Sequence, residues 1–167
     1  PNKPIPLEEL IERFKSGKST AECFALTFDD GVGSTVRDIS KKCIERGWPV
    51  TFYLPTQYLD KGILPFQNFK PISWNEVEEL SKNQLISFQS HGVTHSAVSS
   101  LSEEKIEFEM IKSKKIIESH TNKKVHSFCY PYGSKESIGN TAPKVAPKYF
   151  SSAVTLIHGR LKKNNLF

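Results

Sequence analysis

Five short apolar stretches, with at least three segments of helical character between them, limit this chain more than any other feature of its sequence. They are "CFALTF" (Cys23 to Phe28), "VTFYL" (Val50 to Leu54), "LISFQ" (Leu85 to Gln89), "HSFCY" (His126 to Tyr130) and "SSAVTLI" (Ser151 to Ile157). Between them lie segments patterned as helices. Ser34 to Arg46 ends at Gly47, a helix from the Ser73 and Glu76 capping box runs to about Asn83, and Ser102 opens a helix whose buried stripe carries Ile106, Met110 and Ile117. Strand and helix in strict alternation predict a parallel sheet covered by helices, as an open sheet or an incomplete barrel. Ahead of the alternation, Pro6 opens a peripheral amphipathic helix whose Leu7, Leu10, Ile11 and Phe14 repeat at helical spacing.

In such folds ligands bind at the carboxyl ends of the strands, and the polar signals of this chain fall there. "DDG" (Asp29 to Gly31) follows the first strand, "SHGVTH" (Ser90 to His95) the third and "PYG" (Pro131 to Gly133) the fourth. Asp29 and Asp30 are adjacent carboxylates, which resist joint ionisation unless something positive compensates. His91 and His95 form H-x-x-x-H just beyond a strand. Taken alone the pair is more often two polar loop histidines than a ligand pair, and Gly92 after His91 excludes the helical zinc-protease form. Taken with the aspartates, however, two imidazoles and one carboxylate make a three-ligand set with positions left open, as a catalytic metal requires. A divalent cation would hold one aspartate ionised as a ligand and leave the other as a base.

Two other motifs fail on context. "SGKST" (Ser16 to Thr20) resembles the end of a P-loop, but Glu12 stands where the earlier glycine is required and a helix precedes it. "GVGSTV" (Gly31 to Val36) lacks the third glycine of a dinucleotide fingerprint, and two aspartates precede it.

Three motifs in register carry a family resemblance. "TFDDG", "SHGVTH" and "YPYG", each after a strand, together with "PVTFYLPTQYLDKG" and "ISWNEVEEL", resemble the NodB-homology polysaccharide deacetylases, the carbohydrate esterase family four group. The resemblance runs from about Leu7 to Thr155. It implies an α/β fold of the distorted, incomplete (β/α) barrel type, and a hydrolase that removes N-acetyl groups from amino sugars of a polysaccharide or glycan precursor. Asp29 would be the general base, Asp30, His91 and His95 the metal ligands, and the backbone N–H of Tyr132 an oxyanion donor. The cofactor would be one divalent ion, zinc first, with cobalt, manganese, iron or nickel as alternatives. An O-acetyl sugar esterase with the same site and a catalytically impaired carbohydrate-binding pseudoenzyme are the rival readings.

Two positions depart from the family. Cys129 stands where many members carry arginine beside the catalytic aspartate. The family's acid is usually a histidine in a later Leu-x-His motif. "LIH" (Leu156 to His158) mimics it, which leaves the acid to His158 or to a residue beyond Phe167. His120 and His126 read as surface or supporting residues, Trp48 and Trp74 as packing at helix ends, with Trp74 a candidate border of a sugar site.

Composition narrows the class. A length of 167 residues fits one domain, read as residues 1–167 and cut short at its C-terminus. A net charge of +5 comes from lysines interleaved with glutamates, a solvated surface and not a nucleic-acid patch. No apolar run reaches the length of a membrane span. Three cysteines without a Cys-x-x-Cys pair indicate neither a disulfide framework nor a zinc knuckle and, with no visible leader, lean toward a reducing, cytoplasmic compartment.

Overall fold

The computed structural model describes residues 3–64, 69–159 and 166–167. Pro1 and most of the "KKNNLF" end therefore lie outside the described residues. Five strands, β1 (Leu26–Phe28), β2 (Val50–Leu54), β3 (Ile86–Ser90), β4 (Ser127–Cys129) and β5 (Ser152–Val154), form one sheet in the order β1-β2-β3-β4-β5, every pair parallel. A doubly wound sheet reverses its strand order at a switch point. Here spatial order follows sequence order without reversal, so the sheet curls one way, as the first part of a (β/α) barrel does. Of the two architectures open to the alternation, the incomplete barrel is the one formed.

The helices are α1 (Leu7–Lys15), α2 (Gly33–Arg46), α3 (Thr56–Lys61), α4 (Trp74–Ser81), α5 (Glu103–Thr121), α6 (Lys135–Ile138) and α7 (Ala142–Val145). Local signals account for several boundaries. Pro6 precedes α1, and Gly47 ends α2 in a left-handed conformation that costs a glycine little. The Ser73 side chain accepts from the Glu76 N–H while Glu76 reaches back to the Ser73 N–H, the reciprocal cap expected for α4.

Period-two alternation gives the sheet two different faces. On one, Phe28, Phe52 and Phe88 occupy aligned positions on three neighbouring strands, with ring centroids 5.8 Å apart in each adjacent pair. They join Val36, Val77, Ile106, Met110, Ile117 and Phe128 in the core between sheet and helices. Each fully buried side chain of this size contributes about 1.5–3 kcal/mol, so this layer holds the strand ends in place. On the other face Thr51, Tyr53, Gln89, Ser127 and Ser152 are buried but polar.

The β3–β4 ladder has a single register pair, Ser90 with Phe128. Gln89 makes up for it: its Oε1 accepts from the N–H groups of His126 and Ser127 at 2.8 and 2.9 Å. A side-chain amide thus replaces backbone pairing just below the strand ends.

Candidate metal and catalytic site

At the end of β1 the chain turns sharply. The Gly31 N–H donates to the Asp29 carbonyl at 2.9 Å, and Asp30 and Gly31 both have left-handed φ, 68° and 64°. A Cβ at Gly31 would come within 2.8 Å of Leu54 Cδ2, so only glycine lets the turn lie against β2. The reversal presents the two aspartates differently. Asp30 reaches toward the end of β3, and Asp29 toward the end of β4, where it interacts with the Cys129 thiol.

His91 follows β3 directly and is 2% exposed; His95, 6% exposed, sits four residues on with φ 55°. Their Nε2 atoms lie 3.5 and 3.1 Å from Asp30 Oδ1. The ligand atoms of Asp30, His91 and His95 all fall within 4.8 Å of one another. Burial opposes ionisation of Asp30, but hydrogen bonds and positive charge from His91 and His95 outweigh it and hold its carboxyl well below the usual carboxylate range. Asp29, His91 and Cys129 form a second group of the same spread. Burial pushes the Cys129 thiol strongly up, and the charge and hydrogen bonding of Asp29 push it the same way, so Cys129 is a neutral neighbour of Asp29 and not a substitute for a guanidinium.

The donor chemistry of His91 tests whether these residues suit a cation. His91 Nδ1 lies 2.8 Å from the Cys129 carbonyl oxygen, which can only accept, so Nδ1 carries the proton. In the neutral ring the lone pair is then on Nε2, facing a carboxylate oxygen. Two electron-rich atoms aimed at each other are repulsive unless a cation or a proton lies between them. A carbonyl fixing the tautomer of a metal-binding histidine is a common supporting arrangement, and the residues fit a divalent ion.

The fourth strand end completes the site. Tyr132 and Gly133 are left-handed, with φ 64° and 60°. The Leu156 N–H donates to the Gly133 carbonyl at 3.0 Å, and a Cβ at Gly133 would meet Leu156 N at 2.6 Å. The turn is locked to the segment after β5, and Tyr132 lays its ring against His95, centroids 4.9 Å apart. Among the described residues nothing accepts from the Tyr132 N–H.

The sequence-chosen Asp29, Asp30, His91, His95 and Tyr132 therefore come together from three strand ends. His158 does not join them: it lies exposed in the irregular segment after β5. Trp74 is held by a 2.7 Å hydrogen bond to Asp60 and by stacking on His120 at 4.1 Å, His120 is held by Glu78 at 2.7 Å, and Trp48 lies under Arg46. One site-building residue escaped sequence reasoning. Glu109, on α5, is 5% exposed and bonds the loop between the two histidines. Its signal was a carboxylate on the helix stripe that carries Ile106, Met110 and Ile117.

Comparison with known proteins bears on the family and the fold. The polysaccharide deacetylase sequence profile matches residues 16–149. This chain belongs to the polysaccharide deacetylase family. No curated protein matches it. Among solved structures, the Streptococcus pyogenes deacetylase PplD, in complex with acetate, superposes with a TM-score of 0.81 at 20% identity, over 93% of this chain and 66% of that one. The BpsB deacetylase domain from Bordetella bronchiseptica gives 0.80 at 19% identity, over 94% and 73%. BA3943 from Bacillus anthracis, a pseudoenzyme of carbohydrate esterase family four, gives 0.63 at 18% identity, over 78% and 42%. At these identities the likeness is one of fold, and this chain spans about two thirds of PplD.

Proposed function

We propose that this chain is a metal-dependent deacetylase that hydrolyses N-acetyl groups on amino sugars of a polysaccharide or glycan precursor. The observation that carries the reading is the convergence of Asp30, His91 and His95, with the His91 proton fixed on Nδ1 by the Cys129 carbonyl. Asp30, His91 and His95 would hold one divalent ion, zinc first. Such an ion would bring the pKa of a water toward about 7 and polarise a carbonyl, chemistry that amide hydrolysis at neutral pH requires. Asp29, next to the ligand Asp30, accepts the proton of the attacking water. The Tyr132 N–H donates to the oxyanion as the acetyl carbon becomes tetrahedral, and a donor of this kind is worth about 3–4 kcal/mol. Leu156, packed on Gly133, and the ring of Tyr132, packed on His95, are 66% and 60% exposed and offer an acetyl group apolar surface beside the cluster.

An O-acetyl ester is the second reading. Its alkoxide leaving group needs less acid assistance, and His158 lies exposed outside the cluster. Acetate release from matched acetamido and acetoxy sugars, in metal-loaded protein, separates the two. Turnover of the amide at least equal to that of the ester supports the first reading, and release from the ester alone replaces it with the second. No acetate from either substrate moves the chain to the pseudoenzyme class.

A further inference from the structure

His91 and His95 are ends of one loop, and a loop is a poor base for a metal site unless every peptide in it is fixed. The two sides of this loop are fixed by different elements. Its carbonyls point toward α3. Gly92 O accepts from the Thr56 N–H at 3.1 Å, Val93 O from the Gln57 N–H at 3.0 Å, and Thr94 O from the Tyr58 hydroxyl at 3.2 Å. Its N–H groups point the other way, toward a single side chain. Glu109 Oε2 accepts from the N–H groups of Val93 and Thr94 at 2.7 and 2.9 Å, and Oε1 accepts from the Thr94 hydroxyl at 2.8 Å. One turn along α5, Ser113 Oγ lies 2.6 Å from Ser90 Oγ, which in turn accepts from the Gly92 N–H.

We propose that Glu109 is a positioning residue that presets His91 and His95 for metal binding by gripping the loop between them. Three features single it out. A carboxylate accepts at both oxygens, and all three of its partners here are donors on the loop. It is buried, so its charge is offset by these N–H and O–H dipoles and would be costly to place there for packing alone. Gly92 is shaped around it: φ is 80°, and a Cβ there would stand 2.9 Å from Glu109 Oε2. The histidine geometry is therefore written partly in a helix whose residues do not themselves reach the ion. The inference rests on reading His91 and His95 as ligands.

The test is zinc and cobalt affinity of the full chain, by calorimetry, for wild type, Glu109→Ala, Glu109→Gln and the control Glu107→Ala. Each is paired with amide exchange at Val93 and Thr94 and with the ring-nitrogen signals of His91 and His95 in metal-free protein. Loss of a supporting partner of this kind typically lowers metal affinity about 10- to 100-fold, the result expected for Glu109→Ala, with faster exchange at both amides. Glu109→Gln keeps an oxygen for the two N–H groups and falls between Glu109→Ala and wild type. Glu107→Ala, which removes a charge from the same helix away from the loop, binds as wild type does. Wild-type affinity in Glu109→Ala, or in Glu109→Gln if the alanine variant does not fold, overturns the proposal. Failure of wild type to bind metal sinks the ligand reading instead. The metal-binding part of the Glu109 claim falls with it, and the positioning part is decided by the metal-free ring signals: displaced signals in the Glu109 variants support it, and unchanged signals overturn it.

Discussion

The polar face of the sheet and the strand ends just above it are built from similar residues, yet they behave in opposite ways. On the sheet face, polar groups satisfy one another. Tyr53 Oη lies 2.7 Å from Ser127 Oγ, Ser152 Oγ donates to Ser127 at 3.2 Å, and Gln89 serves two N–H groups of the next strand. At the strand ends the opposite holds. Three of the non-glycine residues with left-handed backbone, Asp30, His95 and Tyr132, stand there, and one carboxylate oxygen lies 3.5 and 3.1 Å from the Nε2 atoms of two imidazoles. Strain of this kind costs about 1–3 kcal/mol per residue and persists only where the surroundings enforce it. The closed network is scaffold, and the strained ends are the part left for a ligand to complete.

That contrast implies substitutions of very different consequence. Asp29→Asn removes the base and is expected to lower kcat about 10²- to 10⁴-fold while metal content stays at the wild-type level, measured by elemental analysis beside acetate release. Loss of metal together with rate would show that Asp29 is a ligand and break the division of labour between the two aspartates. On the scaffold, Gln89→Leu strands the buried Ser127 N–H and its neighbour at His126. It should cost about 1–3 kcal/mol in denaturant unfolding for each N–H left buried, without changing the metal affinity of the remaining folded protein. Tyr53→Phe leaves the Ser127–Ser152 bond intact and should cost only about 1 kcal/mol. A Tyr53→Phe protein that loses metal would mean the two regions are not separate.

A small effect belongs to the cap of α4. Hydrogen bonds from the Ser73 side chain and backbone pull the Glu76 carboxyl down to about 2 against the opposing effect of burial, with Arg37 adding a smaller pull. Because the folded value lies below the unfolded one, the contribution is complete above about pH 4.5 and is lost as the pH falls through about 2. The stability difference between wild type and Glu76→Gln should shrink across that window. Ser73→Ala, which removes the cap, should cost about 1 kcal/mol at neutral pH.

Much of this could be read in the sequence because it is local. Strand–helix alternation, the Ser73 cap and the Gly47 stop need no tertiary information. Strand lengths do need it. "CFALTF" pairs with β2 only from Leu26, since its partner begins at Val50 after Pro49, and ahead of it the Phe24 carbonyl accepts from the Ile5 N–H at 2.9 Å instead. "SSAVTLI" is cut to Ser152–Val154 by the shortness of β4, and Leu156 turns instead onto Gly133. The helix α3 was not foreseen because its first N–H groups are satisfied by carbonyls of the distant histidine loop. The aspartates and histidines were legible as motifs. Their shared geometry was not, nor was Glu109, whose partners lie more than a dozen residues back along the chain.

The most direct test of the central claim is the divalent metal content of purified wild type beside the His91→Ala, His95→Ala double variant, after incubation with zinc, cobalt or manganese. The account predicts near one ion per wild-type chain and none in the double variant. A wild type that takes up no metal, or a double variant that keeps it, would contradict the strand-end triad as the centre of this protein's chemistry.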